Sequence, residues 1–479
     1  MSPVETEPAA SGAGLRLDVG RDDALARAES VIREAWASFD SFRVGQPAVD
    51  AGLRSLLLEG LPDKGTSAER AILDAARALD QSIAQPRPRY FAFIGSSGLE
   101  IAVIADALAA CFDVNLAVWA GAASEVEAQA VRWAGELVGY PCEAGSFTSG
   151  GTVSNVTALT AARERALPGS RHDGLFGHRL ALYCSLEVHY SVVRAAELLG
   201  IGSSGVRALP IDEHRRLRPD AVAAAIDSDR AAGIVPVAVV ATAGTTLTGA
   251  VDPVDALADV CAQRNVWLHV DGAYGLPAAR TPSAAPLFRG IERADSVTID
   301  AHKWLYLPKA CGVVLVRNRA DLAAALGHEG SYLPHDHEDL HAADMTLEYS
   351  RPFRALKFWL ALRVHGASAF LGEVERNLAQ AQLLHRRVVE SPDLEALPFG
   401  PQLSVVPFRH VPNGVEDLDS HNAEIVRRIQ EGGEFWVAHA QIDGKTLIRP
   451  CIVNFRTSDD DVLAFVDSVE RIGREICAG

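Results

Sequence analysis

The chain has 479 residues, 48% hydrophobic and 22% charged, a balance that excludes a fibrous or largely disordered protein and predicts a large domain with one or two smaller ones. Its formal net charge of −17 argues against direct work on nucleic acid or docking to an anionic membrane, because both use basic surfaces; a small molecule is the expected partner. Seven cysteines, at 111, 142, 184, 261, 311, 451 and 477, form no CxxC pair, so reduced thiols in a cytoplasmic protein are expected rather than disulfides or a zinc site.

In chain order, residues 1 to about 20 are rich in Ala, Gly, Ser, Pro and Glu and read as a disordered tip. They lack a basic region followed by an apolar stretch, and no run approaches the roughly 18 apolar residues of a membrane span, so neither a signal peptide nor a span is expected. Helical apolar spacing at 22–40 and 66–84 predicts a helical appendage ending near 85. From 86 to 369, β-branched runs at Leu180–Ser185, Val235–Thr242, Val266–Val270, Ser296–Ile299 and Val313–Val316 alternate with helical segments at 190–199, 219–229 and 253–264. That alternation predicts an α/β domain with a mostly parallel sheet covered on both faces. Asp252-Pro253 reads as an N-cap with proline at the first helical position, and Arg218-Pro219-Asp220 opens another helix similarly. Residues 370–479 carry a long helix, the runs Gln402–Phe408 and Thr446–Phe455, a helix near 420–431 and a closing helix from Asp459, which predicts a smaller α+β domain.

Three segments carry chemistry. Ser149-Gly150-Gly151-Thr152 leads straight into the helical pattern 156–165; small residues, hydroxyls and a helix N-terminus make an anion cradle, although a plain Gly/Ser turn has the same composition. Asp271 ends the apolar run from Val266, where ligands bind in open α/β sheets; a carboxylate there could cap a helix, bind a metal or hold the proton of a pyridine nitrogen. Lys303, one of five lysines (64, 303, 309, 357 and 445), follows the next strand among apolar and aromatic neighbours, which favours a reactive amine over a surface lysine. Together they fit a ligand with an anionic tail, a basic ring nitrogen and an aldehyde, namely pyridoxal 5'-phosphate. By contrast, Gly200-Ile201-Gly202-Ser203-Ser204-Gly205 matches GxGxxG but follows a helix and precedes a strand, the reverse of the dinucleotide order, and reads as a helix end and turn.

On His302-Lys303-Trp304, Val270-Asp271-Gly272-Ala273-Tyr274, and Ala243-Gly244-Thr245-Thr246 followed by Gly249 and Asp252-Pro253, the sequence from about 50 almost to the end resembles the group II pyridoxal-phosphate decarboxylases of amino acids, which include the aromatic-L-amino-acid decarboxylases. The resemblance implies pyridoxal-phosphate fold type I, the aspartate aminotransferase-like architecture. It makes Lys303 the Schiff-base lysine, Asp271 the partner of the pyridinium nitrogen and His189 a ring stacked on the cofactor. Gly150, Gly151 and Thr152 would hold the phosphate with help from Ser149, Asp300 and His302, and Thr246 would lie near the ring. Residues 328–342 resemble the family's mobile catalytic loop, which makes Tyr332 the acid that protonates the substrate carbon; the spacing of His335, His337 and His341 is read as part of that loop rather than as a metal site. Ser350–Lys357, which also matches the family, is assigned to structure. The chain departs from the family in having Asp300-Ala301 where many members have Asn-Pro, and Arg87 where animal aromatic decarboxylases have His. Tyr90, Phe91, Phe93 and Trp119 are the candidate substrate pocket.

The expected reaction is decarboxylation of an L-amino acid, aromatic first, to the amine and carbon dioxide. Non-aromatic substrates (acidic, aliphatic or diamino), aldehyde-forming oxidative deamination and a non-catalytic cofactor-binding protein are the alternatives; Tyr332, typically phenylalanine in aldehyde-forming relatives, favours decarboxylation. The resemblance also implies a homodimer with shared active sites.

Overall fold

The computed structural model describes residues 17, 20–41, 43–328 and 342–478. Three helices, Arg21–Phe39, Ala51–Leu57 and Ala68–Asp80, open the described chain. A seven-stranded sheet follows, built from β1 (Ala144–Thr148), β2 (Leu180–Ser185), β3 (Val206–Leu209), β4 (Val235–Thr242), β5 (Trp267–Asp271), β6 (Ser296–Asp300) and β7 (Gly312–Val316). Its order is β1-β7-β6-β5-β4-β2-β3. β3, β2, β4, β5 and β6 pair in parallel, whereas β7 is antiparallel to both neighbours. The reason for the reversal is local: residues 301–311 between β6 and β7 contain no crossover helix, and without one the chain can only return antiparallel.

β2, β5, β6 and β7 bury both faces, as strands sandwiched by helices require, while the edge strand β3 is only partly covered. On β5, Leu268 and Val270 enter the core beneath helices Ala122–Val138, Pro219–Ala231 and Val254–Arg264, while Trp267 enters the core beneath helix Gly151–Ala166. The two-residue period therefore turns Trp267, His269 and Asp271 toward helix 151–166. On β6, Val297 and Ile299 join the first core, which turns Ser296, Thr298 and Asp300 to the same side as Asp271.

A four-stranded antiparallel sheet, ordered β10-β11-β9-β8, comprises β8 (Leu394–Ala396), β9 (Phe408–His410), β10 (Ala438–Ile442) and β11 (Lys445–Arg449), with helices Leu418–Gly432 and Asp459–Ala478. The long helix Ala355–Val389 joins the two sheets and breaks at Gly366, whose φ of 74° no helix allows.

Two local expectations differ from the structure. The runs Gln402–Phe408 and Thr446–Phe455 are strand only at Phe408 and as far as Arg449; Pro407 and Pro450 lack the N–H groups a ladder needs, so the rest pairs through single bonds such as Ile452 N to Ser404 O. Asp252 does not cap its helix, which starts at Val254 after Pro253. Its fully buried carboxylate instead accepts from the backbone N–H groups of Leu217 (2.6 Å) and Thr242 (2.7 Å), and burial pushes its pKa up to about 7. The GxGxxG segment forms a turn, with Gly200 and Gly202 both at φ 76° and a short 3₁₀ helix at Ser203–Gly205 leading into β3. Among the described residues, no helix is long and apolar enough to cross a membrane.

Candidate active site

The carboxyl ends of β4, β5 and β6 open into a cavity of about 650 Å³, a size that accommodates a cofactor and a small substrate together. At one end, β1 runs through Ser149 and Gly150 into the sixteen-residue helix Gly151–Ala166. Thr148 Oγ1 lies 2.7 Å from Ser154 Oγ and accepts from Gly150 N, which pins the turn. A Cβ at Gly151 would stand 3.0 Å from Asp300 Oδ2 and 3.1 Å from Ala273 Cβ, so only glycine leaves this surface open. Ser149, Gly150, Gly151 and Thr152 line the cavity here, and the uncapped helix N-terminus supplies unpaired N–H groups and a partial positive charge. These residues fit a phosphate.

Lys303 lies in the turn after β6, its Nζ 3.0 Å from Asp300 Oδ2. Its neighbour Trp304 is fully buried, stacks on Tyr274 (ring centroids 5.0 Å apart) and donates through Nε1 to Asn377 Oδ1 on the long helix. Tyr306 OH donates to the same oxygen, so a single buried amide anchors the backbone on the C-terminal side of Lys303. His302 Nδ1 accepts from Cys311 N, which leaves the ring proton on Nε2, 3.8 Å from Asp300 Oδ2; burial lowers its pKa, so the ring is held neutral.

Asp271 ends β5, with Oδ1 accepting from Ala273 N (3.2 Å) and Oδ2 from Asn155 Nδ2 (2.8 Å). Across the cavity His189 caps helix Tyr190–Leu198, its Nδ1 accepting from Ser191 N, and burial lowers its pKa. It is thus both the helix cap that its position alone implies and a wall of the cavity. Thr246 lines the cavity from the turn after β4, which closes through Thr245 N to Ala250 O and depends on Gly244 (φ 104°) and Gly249 (φ 74°). A cradle, a carboxylate and an amine around one cavity meet the three demands of pyridoxal phosphate.

The candidate substrate pocket fares differently. Phe93 lines the cavity, whereas Phe91 is fully buried against Phe435 and Phe465 in the core of the smaller sheet. Tyr90 bridges to Trp436 and packs beside Val44, and the exposed Trp119 is not part of the wall. Assigning all four to the pocket is therefore corrected: Tyr90 and Phe91 serve packing and Trp119 the surface, while Phe93 alone turns to the cavity, where its φ of 55° breaks the extended run that would have kept it on the side of Phe91. Tyr332, His335, His337 and His341 lie outside the described residues; among those described, no cluster of His, Cys, Asp or Glu is placed to hold a metal.

Sequence reasoning missed Arg449 and Asn155. Arg449 is buried at the end of β11, donates to the carbonyls of Thr246 and Phe93, and lines the cavity with an Nη2 that has no partner among the described residues. Its signal, a lone arginine before Pro450, is too common to read. Asn155 stands four residues beyond Gly151, one helical turn inside the cradle helix, which was the available clue.

Residues 51–411 match the model of the pyridoxal-dependent decarboxylase conserved domain. The chain is 32% identical to the aromatic-L-amino-acid decarboxylase of Bacillus atrophaeus over 88% of its own length and 89% of the relative's. It is also 32% identical to the L-2,4-diaminobutyrate decarboxylase of Rhizobium meliloti, over 89% and 86%. The crystal structure of Oryza sativa TDC with PLP and tryptamine superposes with a TM-score of 0.90 at 27% identity, covering 97% of this chain and 100% of that one. The fold is accordingly fold type I, and the chain belongs to the pyridoxal-dependent decarboxylase family, as a pyridoxal-phosphate-dependent carboxy-lyase acting on an amino acid.

Proposed function

We propose that the substrate is an aromatic L-amino acid, released as its amine and carbon dioxide. The observation that carries this is the cavity's lining, where Phe93, Ile94, Leu247, Ala438 and Ala440 stand together with Arg449, whose Nη2 has no partner among the described residues. An apolar side chain suits that wall, and the arginine suits a carboxylate.

Pyridoxal phosphate, when bound, supplies the electron sink for the bonding pair left by the departing carboxylate. In this reading Lys303 holds the cofactor covalently, while Ser149, Gly150, Gly151 and Thr152 hold its phosphate, with His302 donating from Nε2 and Asp300 positioning Lys303. Asp271 accepts the ring N–H, His189 lies against the ring and Thr246 borders it. Tyr332 delivers the proton to the substrate carbon.

We further propose a cytoplasmic homodimer. Helix Ala68–Asp80 buries none of its residues within the chain, and Leu57, Leu58, Leu61, Leu79, Leu108 and Phe112 are exposed, an apolar surface that a second copy would cover. The seven cysteines are unpaired, which favours a reducing compartment.

The test is carbon dioxide release from the holoenzyme across the twenty L-amino acids, with amine and aldehyde quantified together. Release from Trp, Tyr, Phe or dihydroxyphenylalanine with equimolar amine is expected; preferential release from acidic or diamino substrates would overturn the aromatic assignment, and aldehyde with peroxide would overturn the simple decarboxylation.

A further inference from the structure

Two neighbouring parallel strands carry polar residues at alternate positions on one otherwise apolar face: Trp267, His269 and Asp271 on β5, and Ser296, Thr298 and Asp300 on β6, with His269 beside Ser296 and Asp271 beside Thr298. All are buried. Buried polar groups at this depth favour pairing, and Trp267, Ser296, His269 and Asp271 pair in a row through Asn155. Trp267 Nε1 donates to Ser296 Oγ (2.8 Å), Ser296 Oγ lies 2.8 Å from His269 Nδ1, His269 Nε2 lies 3.0 Å from Asn155 Oδ1, and Asn155 Nδ2 donates to Asp271 Oδ2 at 2.8 Å.

The direction of every proton follows from the two ends. A carboxylate only accepts, so Asn155 must turn its NH₂ toward Asp271 and its oxygen toward His269. That oxygen also only accepts, so His269 must carry its proton on Nε2. Burial lowers the pKa of His269 to about 4, leaving Nδ1 to accept from the Ser296 hydroxyl, whose oxygen takes the indole N–H. The chain of donors therefore runs one way, from Trp267 to Asp271.

Asn155 has a second branch. Its Nδ2 also donates to Ser191 Oγ at 3.0 Å, and that hydroxyl lies 2.8 Å from His189 Nδ1, which accepts from Ser191 N as well. With Nδ1 occupied as an acceptor, the proton of neutral His189 sits on Nε2.

Resting on the reading of Asp271 and His189 given above, we infer that Asn155 is a positioning residue: one amide, oriented by buried neutral His269, holds the Asp271 carboxylate as the acceptor for the ring nitrogen and, through the Ser191 hydroxyl, reinforces the Nε2–H tautomer of His189 that the Ser191 backbone N–H already favours. Although it lines the cavity, it acts through Asp271 and His189, the two groups that would meet the cofactor ring.

The test uses holoenzyme loaded with ¹⁵N-labelled pyridoxal phosphate and, separately, ¹⁵N-labelled histidine. In the wild type, His269 and His189 should both show Nε2–H tautomers, and the ring nitrogen should stay protonated across neutral pH. Asn155→Leu, close to isosteric, should lower the midpoint for losing the ring-nitrogen proton by about one pH unit and kcat by about tenfold, the effect of one hydrogen bond to a charged group, with KM changed less than about twofold. Asp271→Ala should shift the same titration further. If Asp271→Ala leaves it unchanged, Asp271 is not the ring partner and the reading beneath the inference falls with it. If Asp271→Ala shifts the titration and Asn155→Leu does not, the inference alone is overturned. Should Asn155→Leu fail to fold, the wild-type tautomers still decide: an Nδ1–H proton on His269 or His189 overturns the inference.

Discussion

The two ends of the cavity are built by different means. The cofactor end stands on the carboxyl ends of β4, β5 and β6 and on the first turn of helix 151–166, where regular backbone fixes each side chain and buried hydrogen bonds hold it. The other end, which the proposed function gives to the substrate, is assembled from separated pieces, 93–94, 247, 438–440 and 449, joined mainly by the two bonds from Arg449 to the carbonyls of Thr246 and Phe93. Rigid elements position the groups that any decarboxylation of this kind needs, while loops and the second sheet shape what varies with substrate.

If that division is correct, damage at the first end should abolish chemistry and damage at the second should redirect it. The largest effect is expected from Lys303→Ala, which should lower turnover by about 10⁴-fold or more while leaving the thermal midpoint nearly unchanged; carbon dioxide release and a melting curve read both. Tyr332→Phe should shift product from amine toward aldehyde, read by chromatography of the two; unchanged amine yield would remove Tyr332 from proton delivery.

Arg449→Met comes next. Because the arginine offers a free Nη2, its loss should raise KM about 10- to 100-fold with a smaller change in kcat, the effect of losing a charge-assisted hydrogen bond. Phe93→Ala should change the preference between aromatic and aliphatic substrates by about tenfold in kcat/KM. An equal loss for both classes would mean that Phe93 supports the fold rather than selects the substrate.

The smallest effect concerns acid stability. The pKa of His269 is lowered to about 4 by burial, so between about pH 6.5 and 4 the unfolded chain binds a proton there that the folded chain refuses. Its contribution is complete above that window and falls as pH drops through it. Asp252, pushed up to about 7, works in the opposite sense: its folded form keeps a proton that the unfolded chain releases, so its contribution declines as pH rises from 3.8 to about 7. Urea midpoints should therefore fall less steeply on acidification for His269→Gln than for the wild type; parallel slopes would contradict the neutral, buried ring.

What could be read in the sequence divides along the same line. β2 and β4 coincide with their β-branched runs, and Lys303, Asp271 and the Gly150-Gly151 cradle come together as their places at strand and helix ends imply. Such positions follow from local periodicity. Phe91 and Phe93 are two residues apart with the same chemistry, yet one fills the second core and the other faces the cavity; that choice is made by Phe435 and Phe465, hundreds of residues away. Arg449 was illegible for the same reason, since what makes it distinctive is a buried, unpartnered nitrogen rather than a motif.

The central claim, that this cavity holds its cofactor through Lys303, is tested most directly by reducing the holoenzyme with borohydride and mapping the modified peptide by mass spectrometry. With lysines only at 64, 303, 309, 357 and 445, the answer is unambiguous. A phosphopyridoxyl group on Lys303 alone is the predicted result; its appearance on another lysine, or on none, would contradict the account.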